Sequence, residues 1–190
     1  MQNSNAKSLI QSAQMALEGG DVSLFNMAMI DFAEYRFEDS SPNPFEPEVF
    51  SFLLDIFSNH EYQKSPLLSK LALIFETEWG RLNDSQKSHL LSLIELQFEN
   101  TQDELTLFIF AELLGRFFAN ERSFAVLDKL RRLADNEHRG YVVTGFLAFA
   151  KKTSDRTLMG KVVDRLKEMS SDQADIVKNG ASDALKILKP

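Results

Sequence analysis

The 190-residue chain has no cysteine, three histidines and eight glycines. Without cysteine there is no disulfide framework, no thiol nucleophile and no thiolate-ligated zinc. His60, His89 and His138 are far apart in sequence. His60-Glu61 does not extend to the His-Glu-x-x-His spacing that sets two imidazoles on one helix face. The glycines stand singly or as Gly19-Gly20, so no phosphate-cradling loop, dinucleotide fingerprint or nucleophile elbow is present. No apolar run exceeds five residues (71–75, 107–111 and 146–150), against about 20 for a membrane span. The leading Met-Gln-Asn-Ser-Asn-Ala-Lys shows no basic stretch followed by an apolar one. These absences predict a non-enzymatic, cytoplasmic protein with no cofactor and no metal.

Positive charge is short over most of the chain. Residues 1–120 hold seven basic and eighteen acidic residues, a net of −11. Residues 121–190 hold fourteen and ten, a net of +4, and the whole carries −7. The densest acidic stretch, 31–48, has Asp31, Glu34, Glu38, Asp39, Glu46 and Glu48 against Arg36 alone. A solvated helix face with a charged loop accounts for such a stretch, and so does a surface that steers a basic partner.

What the chain has in quantity is helical periodicity. Val22, Phe25, Met29, Phe32, Ala33 and Arg36 fall on i, i+3/i+4 spacing behind Asp21, a natural N-cap. Ala6, Leu9, Ile10, Ala13 and Leu17 do the same before Gly19-Gly20, whose glycines suit a helix end. The pattern recurs after Pro47, after Ser65-Pro66, after Asn83 or Asp84, and after Thr101-Gln-Asp-Glu104, a capping-box sequence. It recurs again after Asn120, Asn136, Ser154, and Ser171 or Asp172. No segment alternates as a strand would. The reading is all-α: ten helices, one surface loop at 38–46 with Pro42 and Pro44, and a single helical-repeat domain over 1–190.

The expected helix starts are regular. Odd-numbered helices begin near 4, 47, 85, 121 and 155, and even-numbered ones near 22, 66, 102, 137 and 173. A period of about 35–45 residues marks stacked helix pairs. The expected architecture is a right-handed α-solenoid of about five pairs, with a compact all-α bundle as the alternative. Val177-Lys178-Asn-Gly-Ala181-Ser-Asp-Ala184-Leu185 resembles the second helix of a HEAT repeat: Val-basic, then small residues, then Ala-Leu. Only this one helix carries the motif, so the resemblance bears on fold. Gly140 and Gly145 hint at close packing in the fourth pair, and Gly115-Arg116 reads equally as close packing or as a contact site.

Ten of the fourteen residues in Leu105–Phe118 are apolar, which predicts a helix buried on several sides. The sixteen phenylalanines read as core filler, since they spread over many helices. Trp79, the only tryptophan, reads as a partly buried aromatic at the end of a helix or as an anchor for a partner.

Small size, acidity, helical repeats and missing catalytic motifs resemble the all-helical immunity proteins of bacterial contact-dependent and polymorphic toxin systems. That resemblance implies carboxylates that occlude the basic active cleft of a nuclease-type toxin; the sequence leaves the oligomeric state open, with a monomer favoured. Candidate partner contacts are Asp31, Glu34, Glu38, Asp39, Glu76, Trp79, Glu112 and Tyr141. A HEAT-like scaffold or adaptor that docks a peptide or helix is the alternative. A HEAT-like DNA glycosylase or nucleic-acid binder comes third. It rests on Arg131, Arg132, Arg139, Lys151, Lys152 and Arg156, and the −11 elsewhere opposes it.

Overall fold

In the computed structural model, residues 3–19, 21, 23–25, 27–28, 47–59 and 67–188 are described. They are helical with short connections, and no strand occurs among them. The chain is all-α. It divides into two compact units, Met1–Ser88 and His89–Pro190. The expected loop at 38–46 lies outside the described residues, as does the cap expected at Ser65-Pro66.

The first unit contains α1 (Asn3–Glu18), α2 (Pro47–Ser58), α3 (Leu67–Thr77) and the first residues of α4 (Asp84–Gln97). Residues 23–25, 27 and 28 are also helical. Asp21 caps that segment, its carboxylate accepting from Leu24 N at 3.0 Å. α1 closes with Asp21 N donating to Ala16 O at 2.9 Å. Phe75 is fully buried and meets Phe50 edge-on and Phe57 at a tilt, with ring centres 6.0 and 5.7 Å away. Such pairs add about 1 kcal/mol beyond the area they bury. Asn83 and Gln86 form a capping box: Gln86 N donates to Asn83 Oδ1 and Asn83 N to Gln86 Oε1. Trp79 lies beyond the end of α3, in a 3₁₀ turn spanning Trp79–Arg81.

The second unit continues with α5 (Glu104–Glu112), a π-helical turn (Leu113–Phe118), α6 (Glu121–Leu130), α7 (Asn136–Lys152), α8 (Arg156–Met169) and α9 (Asp175–Leu188). Here α7 packs against α5 with its π turn, and also against α6, α8 and α9, while α6 packs on α8. Phe110, Phe146 and Phe149 are fully buried at these contacts. In α9, Val177, Ala181 and Ala184 of the HEAT-like stretch point inward. Polar contacts across the unit join residues 30 to 37 positions apart. Arg122 to Ser92 spans 30 residues, Arg139 to Asp172 spans 33, Lys129 to Glu95 spans 34, and Arg165 to Asp128 spans 37. Helices two apart in the chain, α5 and α7, α7 and α9, and α6 and α8, lie against one another.

Two expected caps and one expected helix differ in detail. Thr101 does not open a capping box: its hydroxyl donates back to Gln97 O at 2.9 Å. Asp103 is the cap of α5, because its carboxylate takes both Thr106 N (2.8 Å) and Thr106 Oγ1 (2.6 Å). Asp155 rather than Ser154 caps α8, accepting from Thr157 N and Leu158 N. In each case a carboxylate is the stronger acceptor for helix-end N–H groups. Asp135 stands before Asn136 and accepts from His138 N at 2.9 Å. Asn120 caps α6 as expected, in a reciprocal box with Ser123. The apolar stretch 105–118 is not one uniform α-helix: its last six residues form the π turn, which ends at Ala119 in the left-handed region with φ 40°. Leu105 and Phe108 face outward, while Leu107, Ile109, Phe110, Leu113 and Leu114 are buried.

His138 ties two connections together. Its Nδ1 lies 2.8 Å from Asp135 Oδ1 and its Nε2 lies 2.9 Å from Thr101 O, with the side chain buried. Replacing a buried ring held between two polar partners costs about 2 kcal/mol. His138→Ala is expected to lower the melting temperature by about 5 °C. Calorimetry of the two proteins checks this.

Candidate functional site

Asp31, Glu34, Glu38 and Asp39 lie outside the described residues. Glu76 and Trp79 fall in the first unit, and Glu112 and Tyr141 in the second. Trp79 is half-buried, and Lys87 Nζ sits 5.2 Å from its ring centre, a cation–π distance. Beside it Glu78 accepts from Arg81 Nη1 at 2.8 Å. Glu76 is half-buried one turn earlier, on α3. Tyr141 is also half-buried, its hydroxyl 3.4 Å from Glu104 Oε2. Burial, followed by the Glu104 charge, holds the phenol above its ordinary pKa.

The first unit carries a cavity of about 370 Å³ between α1 and α2. Ile10, Gln11 and Gln14 line one side, and Glu48, Ser51, Phe52 and Asp55 the other. Glu48, Ser51 and Asp55 recur at i, i+3 and i+7, so α2 turns one polar face with two carboxylates to this groove. Their negative charge over an apolar floor suits the stem and head of a lysine or arginine. A second depression of about 600 Å³ is lined by Met15, Leu24 and Met27 among others. These three side chains are 72, 55 and 60% exposed, an apolar surface of the flexible, adaptable kind.

In the second unit, α5 and its π turn cross α7 at two glycines. A Cβ on Gly115 would stand 2.1 Å from Gly145 O, and one on Gly145 would stand 2.7 Å from Leu127 Cδ2 and 3.1 Å from Ala111 O. Only glycine permits this approach. Next to the crossing is a groove of about 330 Å³. Glu112 and Arg116 line it from one segment, and Thr144, Leu147, Ala148, Lys151 and Lys152 from α7. Glu112 thus stands among cations and not within an acidic face, and Tyr141 does not line this groove.

Most cations of this unit are held internally. Asp128 takes Arg131 Nε at 2.7 Å, Arg165 Nε, and Arg132 Nη2 at 3.6 Å. Glu168 bridges Arg131 and Arg165 at 3.2 and 2.7 Å. Burial of Asp128 opposes its ionisation, but hydrogen bonds from Arg131 and Arg165 outweigh it and hold its pKa below the ordinary carboxylate value. Arg139 pairs with Asp172 at 2.8 Å.

Comparison with family models, curated proteins and solved structures finds no match. Among the described residues, no group of three or more histidines and carboxylates could hold a metal ion, and no helix is long and apolar enough to cross a membrane. The sequence had not pointed to the α1–α2 groove or to the convergence of Arg116 with Lys151 and Lys152. Gly115, Gly145 and the basic residues were each visible, and residues 116 and 151 stand one expected period apart, but periodicity alone does not say which side chains of two helices meet.

Proposed function

We propose that the chain is a non-catalytic protein-binding module of HEAT-like helix pairs in a right-handed α-solenoid. It acts in the cytoplasm as an immunity protein that occludes a cognate basic, nuclease-type toxin. The observation that carries this reading is the acidic α1–α2 groove, with Glu48 and Asp55 over Phe52 and Ile10. It belongs to the part of the chain whose net charge is −11. The contacts recurring at 30–37 residues support the solenoid. Glu76, Trp79, Glu112 and Tyr141 remain proposed contacts, with Asp31, Glu34, Glu38 and Asp39 supplying steering charge. The nucleic-acid reading loses support from the internal pairing of Arg131, Arg132 and Arg139.

The test is binding to the product of the adjacent gene. Lys substitutions at Glu48 and Asp55, or at Asp31, Glu34 and Asp39, are expected to slow association about tenfold, with the melting curve unchanged. Absence of any complex with that product, measured by calorimetry, contradicts the immunity reading. A second reading, a scaffold that docks an apolar helix, is favoured by exposed Met15, Leu24 and Met27. It requires affinity that is nearly insensitive to salt and lost on Met27→Asp.

A further inference from the structure

The second unit exposes an apolar face on α5, the helix whose composition predicts burial on several sides. Leu105 and Phe108, one turn apart, are 51 and 43% exposed. Lone exposed leucines are ordinary on folded proteins, but these two large side chains share one stripe. Tyr141 stands beside them on α7, half-buried, its hydroxyl 3.4 Å from Oε2 of Glu104, the residue before Leu105. The two segments run the same way: a Cβ on Gly145 would lie 3.1 Å from Ala111 O, and one on Gly115 would lie 2.8 Å from Ala148 Cβ. Glu112 and Thr144 face one groove from its two sides. One turn earlier on each helix stand Phe108 and Tyr141, so both aromatic residues flank the same surface at about the same level.

The charge around this face has one sign. Residues 88–115 hold five carboxylates and no lysine or arginine, and α7 has no cation between Arg139 and Lys151. Arg139 is held by Asp172. Because α5 and α7 run the same way, Asp103 and Glu104 at the start of one lie at the same end as Glu137 at the start of the other. Burial of Tyr141, followed by the charges of Glu104, Glu137 and Asp103, raises its pKa, so all three carboxylates act on one phenol. Carboxylates at helix starts complement the helix dipole, and that accounts for their presence. It does not account for Leu105 and Phe108 standing in solvent next to them, where an apolar contact and a negative rim are offered together.

We infer that this face of α5 and α7 docks a basic amphipathic helix of a protein partner. That helix lays two apolar side chains, one turn apart, on Leu105 and Phe108 beside the Tyr141 ring. Its lysines or arginines reach Glu104 and Glu137. The backbone of α5 and α7 is helical and bonded within itself, so no strand edge is open to an extended peptide and side chains carry the recognition. A small cation would use the carboxylates and leave the apolar pair in water, and the same face of a second copy would bring no cation. The surface deepens the proposed capture of a basic partner, and it rests on that reading for the partner's identity.

The probe is a helical peptide of about fourteen residues, roughly four turns, with two leucines one turn apart and flanking lysines. It is titrated into the ¹⁵N-labelled full chain. Amide shifts are expected at residues 104–112 and 137–145. Phe108→Ser, and separately Glu104→Gln with Glu137→Gln, are each expected to weaken binding about tenfold. The thermal melts should be unchanged, since all three side chains are exposed. The inference is overturned if the peptide produces no localised shifts at millimolar concentration, or if Phe108→Ser binds it as tightly as the wild type. It is overturned equally if a peptide with glutamates in place of the lysines binds as well. Shifts at these residues on concentrating the chain alone, with no response to peptide, would assign the face to a second copy instead. Peptide binding here without any complex between the chain and the adjacent gene's product would uphold this surface and remove the immunity reading. A complex with that product, and no peptide shifts, would do the reverse.

Discussion

Gly115→Ala is expected to destabilise the second unit by about 3 kcal/mol and to lower its melting temperature by roughly 10 °C. The added methyl would stand 2.1 Å from Gly145 O, 2.8 Å from Ala148 Cβ and 2.8 Å from Phe149 N. Two of these three atoms are backbone and cannot swing aside, so α7 and the π turn must separate. Separation opens the packing around Phe110, Phe146 and Phe149, all fully buried. A control isolates the steric effect from helix propensity. Gly160 lies inside α8 with no atom within 4 Å of its Cβ position, so Gly160→Ala is expected to stabilise by up to about 1 kcal/mol. Paired thermal melts decide the matter: equal effects at the two glycines would mean that the crossing is not tight.

Asp128→Asn is expected to cost about 2–3 kcal/mol at neutral pH. The carboxylate is about one-fifth exposed and is shared by Arg131, Arg132 and Arg165. Removing its charge leaves those guanidinium groups close together, with Glu168 alone to offset them. The pH dependence has a definite sign. Because the folded-state pKa of Asp128 is depressed, its contribution is present above the ordinary carboxylate pKa and is lost as pH falls through the folded value. Asp135 adds to the same acid limb, held low by hydrogen bonds from His138 N and its ring. Melts between pH 7 and pH 2 should show the wild-type advantage over Asp128→Asn shrinking below about pH 4. An advantage constant across that range would show that the loss is one of packing and not of charge.

Helix positions were legible because caps and apolar periodicity are local. The starts expected near 47, 85, 121 and 155 stand at 47, 84, 121 and 156. The errors at Thr101 and Ser154 came from choosing a hydroxyl where an aspartate stood one or two residues on. The π turn at 113–118 was not legible, since the crossing that accompanies it depends on glycines thirty residues apart. Net charge concealed the most useful distinction. Arg131, Arg132, Arg139, Lys151, Lys152 and Arg156 formed one basic cluster in sequence. In the structure the first three are tied to Asp128, Glu168 and Asp172, and the last three are not tied to carboxylates among the described residues. Of the candidate contacts, Trp79 was placed by its helix end, whereas the cationic setting of Glu112 required the fold.

On the proposed immunity function, an acidic surface would capture a basic protein. Stopped-flow association with the adjacent gene's product, measured from about 20 to 500 mM salt, tests it most directly. Steered capture predicts that the rate constant falls by at least an order of magnitude over that range, while dissociation changes little. A rate constant that stays flat would contradict it, because charge would then have no part in bringing the two proteins together.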